Sequence, residues 1–196
     1  MNDDEPVIQV QCDDNWIGTY ALRLRLHRPL SIRAGRVQGG RPIDFPTGDY
    51  IYAGSALGAP GGYALPRRLL RHASRSAELP PHPLRADLLE RFSAGGLDAA
   101  GLLPRTPKRL HWNIDYLMDE PHTLLAQVFY IRCPLRLEHA LVANLEQDPD
   151  TRIIVPGFGA HDHPGHTHLF AAPQETAWWH AWRDALRCLA VTSYSR

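Results

Sequence analysis

Residues 19–27 alternate strictly: Tyr20, Leu22, Leu24 and Leu26 fall on one side, Ala21, Arg23, Arg25 and His27 on the other. A period of two over that length predicts a half-buried strand, ended by Pro29. Residues 31–37 predict a second strand before the Gly39-Gly40 turn, and 50–53 a third, short and β-rich, stopped by Gly54. The period then changes. After a glycine-rich loop at 58–63, Leu65, Leu69, Leu70 and Ala73 recur at helical spacing around Pro66, which predicts a helix over 66–75. Arg68, His72 and Arg75 lie along one edge of its apolar arc, and Arg67 and Arg71 lie further round.

Pro80-Pro81 breaks the chain, and Leu84, Leu88, Leu89 and Phe92 predict a second amphipathic helix ending at Gly95-Gly96. A short helix is expected over 111–118 and a central apolar strand over 124–131. Pro134 opens a helix with the stripe Leu137, Ala140, Leu141 and Leu145. A Gly/Pro/His loop follows at 155–168, then a last helix over 174–190 with Trp178, Trp182, Ala185, Leu186 and Leu189 on one face. These tryptophans suit a core or a homodimer contact. Together the elements predict an α/β (α+β) fold, a small antiparallel or mixed sheet flanked by helices. The expected division is an acidic tail at 1–16, a domain at 17–172 and a helical extension at 173–196.

The 196 residues suffice for one domain with a proper core. No apolar run approaches the roughly 20 residues of a membrane span, and the acidic start gives no leader pattern, so no membrane partner is expected. Cys12, Cys133 and Cys188 are few, odd in number and widely spread, which fits a reducing cytoplasm without a disulfide framework. Formal charge is balanced overall, but it is segregated: between Tyr20 and Leu110 stand 15 Lys or Arg against 6 Asp or Glu. An arginine-rich middle is the footprint a phosphate backbone needs, although a solvated basic surface has the same composition.

One residue breaks the helical pattern. Glu138 shares a face with Leu141, Val142 and Leu145, where a carboxylate is costly unless it meets a cation or hydrogen-bond donors. A metal ion would supply that, as would Arg132 or Arg136. A second cluster is the loop at 161–168, where His161, Asp162, His163, His166 and His168 offer ligands suited to zinc. His111 and Asp115 could join it from the earlier segment.

Several motifs occur in a telling order: Gly18-Thr19-Tyr20 opening a strand, Tyr52-Ala53-Gly54-Ser55-Ala56 closing one, then Arg67-Arg68-Leu69-Leu70-Arg71-His72 on a helix. With a later strand and a glutamate-bearing helix, this combination resembles the GIY-YIG endonuclease superfamily. His111-Trp112-Asn113-Ile114-Asp115-Tyr116-Leu117, Val155-Pro156-Gly157-Phe158-Gly159 and His168-Leu169-Phe170 bring it closer to one branch, domain of unknown function 123, found alone or fused to endonuclease III-type glycosylases. The resemblance spans 18–170 and leaves the tryptophan helix outside it.

That resemblance implies a divalent-metal-dependent endonuclease acting on DNA, structure-specific and serving DNA repair. It makes Tyr20 and Tyr52 the paired tyrosines, Arg68 the helix arginine, His72 the accessory histidine and Glu138 the ligand of magnesium or manganese. Asp162 and His168 match the branch's late loop and are secondary metal candidates with His111 and Asp115; zinc is the alternative metal at that loop. Arg67, Arg71 and Arg75 are the expected DNA-binding residues. The span between Tyr20 and Tyr52 exceeds a short hairpin, so an extra strand or loop should intervene. Two other functions fit the same residues: a non-catalytic nucleic-acid-binding module, and a small interaction domain stabilised by metal.

Overall fold

The computed structural model describes residues 5–58, 62–76, 79–104, 108–159 and 167–194. Among these residues eight strands form in chain order: β1 (Val7–Gln11), β2 (Gly18–Leu26), β3 (Leu30–Ile32), β4 (Ile43–Phe45), β5 (Gly48–Ala56), β6 (Thr123–Arg132), β7 (Arg152–Ile153) and β8 (Leu169–Ala172). Five α-helices accompany them among the described residues: α1 (Ala64–Ala73), α2 (Leu84–Ala94), α3 (Asn113–Met118), α4 (Glu138–Gln147) and α5 (Thr176–Tyr194). Six strands make one sheet in the order β1-β6-β2-β5-β8-β7, parallel only between β1 and β6. This is a mixed α+β fold with a central sheet flanked by helices.

The alternation along β2 divides the interior into two cores. Tyr20, Leu22, Leu24 and Leu26 join Tyr50, Tyr52 and Leu125 under α1, α2 and α3. Ala21, Ile51, Ala53, Phe129 and Ile131 join Leu137, Leu141, Val142 and Leu145 at and within α4 and Trp179, Trp182 and Leu186 of α5 on the other face. Two of the helix tryptophans are therefore buried within the chain itself. The third, Trp178, stacks on Trp182 and donates its indole N–H to Asp148. Among the described residues no helix is long and apolar enough to cross a membrane.

Three segments differ from the sequence expectation. Residues 31–37 were expected as a strand, but only Leu30–Ile32 pairs, with β4, as a separate two-stranded ribbon. Gly35, Gly39 and Gly40 adopt left-handed φ of 56°, 67° and 77°, as does Gln38 at 50°, and such backbone cannot continue a strand. That ribbon is the element inserted between Tyr20 and Tyr52. The expected acidic tail contributes β1, because Val7 and Ile8 are buried on opposite faces once paired beside β6. β8 falls between the expected loop and the last helix, where no element is expected, since four residues are too few to display alternation.

Candidate functional site

At one end of the sheet, the start of β2 meets the ends of β5 and β6. Two glycines permit this junction. A Cβ on Gly18 would stand 1.9 Å from the carbonyl oxygen of Ile131 on β6. Gly54 lies opposite Tyr20 in the β2–β5 register, and a Cβ there would stand 2.6 Å from the Tyr20 hydroxyl. Only a missing side chain lets the phenol lie across β5. Tyr52 faces Leu22, so the two tyrosines are diagonal neighbours with ring centroids 6.5 Å apart.

α1 brings its buried edge onto this pair. His72 Nε2 is 2.8 Å from the Tyr20 hydroxyl, and both residues are only 1% exposed. The Arg68 guanidinium, one turn earlier, stands near enough to the Tyr20 hydroxyl to favour its charged form. The Tyr20 hydroxyl and His72 Nε2 share one hydrogen, and the tautomer of the neutral imidazole sets which of the two donates. Nδ1 is buried without a hydrogen-bond partner. Burial raises the Tyr20 hydroxyl far above its ordinary range, with Arg68 opposing and Glu138 adding to the shift. Burial likewise raises Tyr52, helped by Tyr20 and Glu138. His72 is pushed well below its usual value, first by burial and then by Lys108, Arg68 and Arg71. At neutral pH the site therefore holds neutral phenols and a neutral imidazole.

Trp112 covers the cluster. Its ring lies 6.0 Å from His72, with the Arg68 and Arg71 guanidinium groups 4.0 and 4.6 Å from its centroid. Trp112 is held by Asp115, whose carboxylate accepts the backbone N–H groups of His111 and Trp112 at the start of α3. The same carboxylate binds Arg71 Nη2 at 2.6 Å and stands 3.4 Å from the buried Lys108 ammonium. Lys108 also approaches Asp119 at 3.4 Å and donates to the Ser74 carbonyl. Nothing in the sequence pattern singled out Lys108; a lone lysine between a loop and a short helix carries no burial signal.

Glu138 reaches the same end of the sheet from the other side. α4 packs on the face opposite α1, yet Glu138 is its first residue, at the end of the sheet where β6 terminates. The carboxylate is partly buried and meets neither Arg132 nor Arg136. Its Oε1 accepts from His168 Nδ1 at 2.9 Å, and Ser55 at the end of β5 donates a further hydrogen bond. Burial raises its pKa, but the bonds from His168 and Ser55 outweigh that and hold the carboxyl below its ordinary range. Its place in the first turn of α4 favours negative charge too. His168 is buried, its ring 6.4 Å from Tyr52, and its Nε2 has no hydrogen-bond partner.

The structure thus brings together Tyr20, Tyr52, Arg68, His72, Glu138 and His168. Other expected site residues stand elsewhere. Arg75 turns its guanidinium onto the carbonyls of Met118, Glu120 and Thr123, tying α1 to the start of β6. Arg67 is exposed to solvent. Asp115 serves helix α3 and Arg71, and His111 is exposed beside Trp112. His161, Asp162, His163 and His166 lie outside the described residues.

The profile of a known family, domain of unknown function DUF123, matches residues 19–191, nearly the whole length. The chain belongs to the DUF123 family. The match takes in β2 through most of α5, so the tryptophan helix that the motif resemblance left outside falls within it. No curated protein and no solved structure matches the chain.

Proposed function

We propose that this DUF123 chain is a GIY-YIG-type endonuclease, a divalent-metal-dependent phosphodiester hydrolase acting on DNA. The observation that supports it best is the meeting of Tyr20, Tyr52, Arg68 and His72 at the end of the sheet that Glu138 also reaches. Arg68 would neutralise charge building on the non-bridging oxygens of the phosphate. Tyr20 orients the attacking water; with the imidazole protonated on Nδ1, the phenol's own hydrogen passes to His72 Nε2 as its oxygen takes a proton from water. Its burial rules out a standing phenolate, so it acts as a relay.

Among the described residues no three His, Cys, Asp or Glu side chains stand close enough to cage a metal. Glu138 offers a carboxylate, the kind of oxygen donor that suits magnesium or manganese, which bind through one or two carboxylates plus water and substrate phosphate. Glu138, kept ionised and oriented by His168 and Ser55, is the residue that would hold the cation. Bound there, it would stabilise the leaving oxygen.

A second reading, a nucleic-acid-binding module without turnover, is favoured by closure of the cluster: Tyr20 and His72 are each 1% exposed, beneath Trp112. Incubation with linear and branched DNA, with magnesium and with a chelator, separates the two. Metal-dependent nicking supports the enzyme; salt-sensitive binding without nicking supports the module.

A further inference from the structure

Strand register brings two of the three cysteines side by side. β1 and β6 run parallel with Val10 opposite Ile131 and Gln11 opposite Arg132, and Cys12 and Cys133 follow directly on each. The Cys12 N–H still donates to the Arg132 carbonyl at 3.0 Å, so the pairing runs on through Cys12. Alternation then sets the side. Ile8, Val10 and Cys12 share one side of their strand, Phe129, Ile131 and Cys133 the matching side of theirs, and all six join the core beneath α4 and α5. Adjacent strands lie about 4.8 Å apart, within the roughly 4.4–6.8 Å that a disulfide spans between Cα atoms.

The two thiols meet solvent differently. Cys133 is fully buried, whereas Cys12 is half-buried at the edge of the sheet and gives its S–H to the Ala190 carbonyl of α5 at 3.9 Å. Cys133 is also close enough to add to the rise that burial causes in the Cys12 thiol. A small reagent in solution therefore reaches Cys12, and only Cys12 reaches Cys133.

We propose that Cys12 and Cys133 are a modification site, closing to a reversible intrachain disulfide by exchange with low-molecular-weight disulfides. Deprotonated Cys12 sulfur attacks one sulfur of the small disulfide, which leaves a mixed disulfide on Cys12 and releases one small thiol. Cys133 sulfur then attacks the Cys12 sulfur, forming the internal bond and expelling the second small thiol. The two cysteine protons end on the two released thiols: the pair is oxidised and the small disulfide reduced. Because the strands already hold both cysteines in place, the second step needs little further ordering. Closure replaces the bond to Ala190 and ties the edge strand to the strand that leads into α4. None of this depends on the endonuclease reading.

Peptide mass mapping of the whole chain tests it, after equilibration with oxidised glutathione and an excess of reduced glutathione. Most chains are expected to carry a Cys12–Cys133 link that dithiothreitol removes, while exposed Cys188 stays mostly unmodified. Cys188→Ser should leave the link unchanged, and Cys12→Ser should abolish it with Cys133 still a free thiol. Should Cys12→Ser fail to fold, the parent chain unfolded in urea serves instead. Its link is expected to fall about tenfold or more, because folding supplies the proximity. No link at equilibrium, a lasting mixed disulfide on Cys12 beside reduced Cys133, a link of either cysteine to Cys188, or equal linkage in folded and unfolded chains would overturn the proposal.

Discussion

The Tyr20 hydroxyl and His72 Nε2 stand 2.8 Å apart although 52 residues separate them along the chain. Both are buried, so removing the hydroxyl leaves the imidazole nitrogen unsatisfied. Tyr20→Phe should lower unfolding free energy by about 1–3 kcal/mol, read from urea denaturation. An unchanged midpoint would mean that the bond is broken in solution.

Acid sensitivity follows from two buried histidines. His82 accepts the N–H of Leu125 on Nδ1 and donates Nε2–H to Met118, which only a neutral ring can do. Burial, then Arg75, pushes it from 6.5 to about 3, and His72 is depressed as well. The unfolded chain therefore binds more protons than the folded one below pH 6.5, and stability falls as pH drops from there. Glu138, also depressed, adds its loss only below its unfolded value of 4.5. Thermal melts should show a clear decline between pH 7.5 and 5, lessened in His82→Gln relative to its own melt at pH 7.5. Melts unchanged across that interval would contradict this.

Asp115 is the most connected carboxylate near the site. Asp115→Asn keeps its shape but leaves Lys108 and Arg71 without that negative charge, one of them fully buried. A cost of about 3 kcal/mol is expected, with loosening of Trp112 visible as a shift in tryptophan emission. Stability equal to the parent chain would show that Asp119 alone satisfies Lys108.

The three cysteines should differ in reactivity. Cys188 is exposed on α5, Cys133 is buried, and Cys12 beside it is partly buried with its thiol raised to about 11, first by burial and then by Cys133. Thiol reagents at neutral pH should modify Cys188 first, Cys12 slowly and Cys133 only on unfolding. Mass spectrometry of partly labelled protein reads the order; early labelling of Cys133 would mean that β6 opens locally.

Much of this was legible in the sequence where local patterning matched tertiary demand. The alternation of Tyr20 through Leu26 located β2 and its faces, and the spacing of Leu65, Leu69 and Leu70 located α1 and the edge carrying Arg68 and His72. Pairing partners were not legible. Glu138 was marked by its place in an apolar stripe, but its partner His168 sits 30 residues on, in a loop whose histidines suggested metal binding instead. The ion pairs that Asp49 on β5 makes with Arg23 and Arg25 on β2 were equally hidden, because strand register, not spacing, brings β2 and β5 together. β1 was masked by the acids flanking Val7 and Ile8.

DNA cleavage by the Arg68→Ala and Glu138→Gln variants, with magnesium and beside the parent chain, tests the central claim most directly. The parent chain should nick DNA only when magnesium is present. Arg68→Ala should lose about 100-fold or more of that rate, the scale of a deleted charge-stabilising donor. Glu138→Gln should lose metal-dependent turnover while retaining DNA affinity and a cooperative melt. Undiminished cleavage by either folded variant, or no cleavage by the parent chain on any linear or branched DNA, would contradict the account.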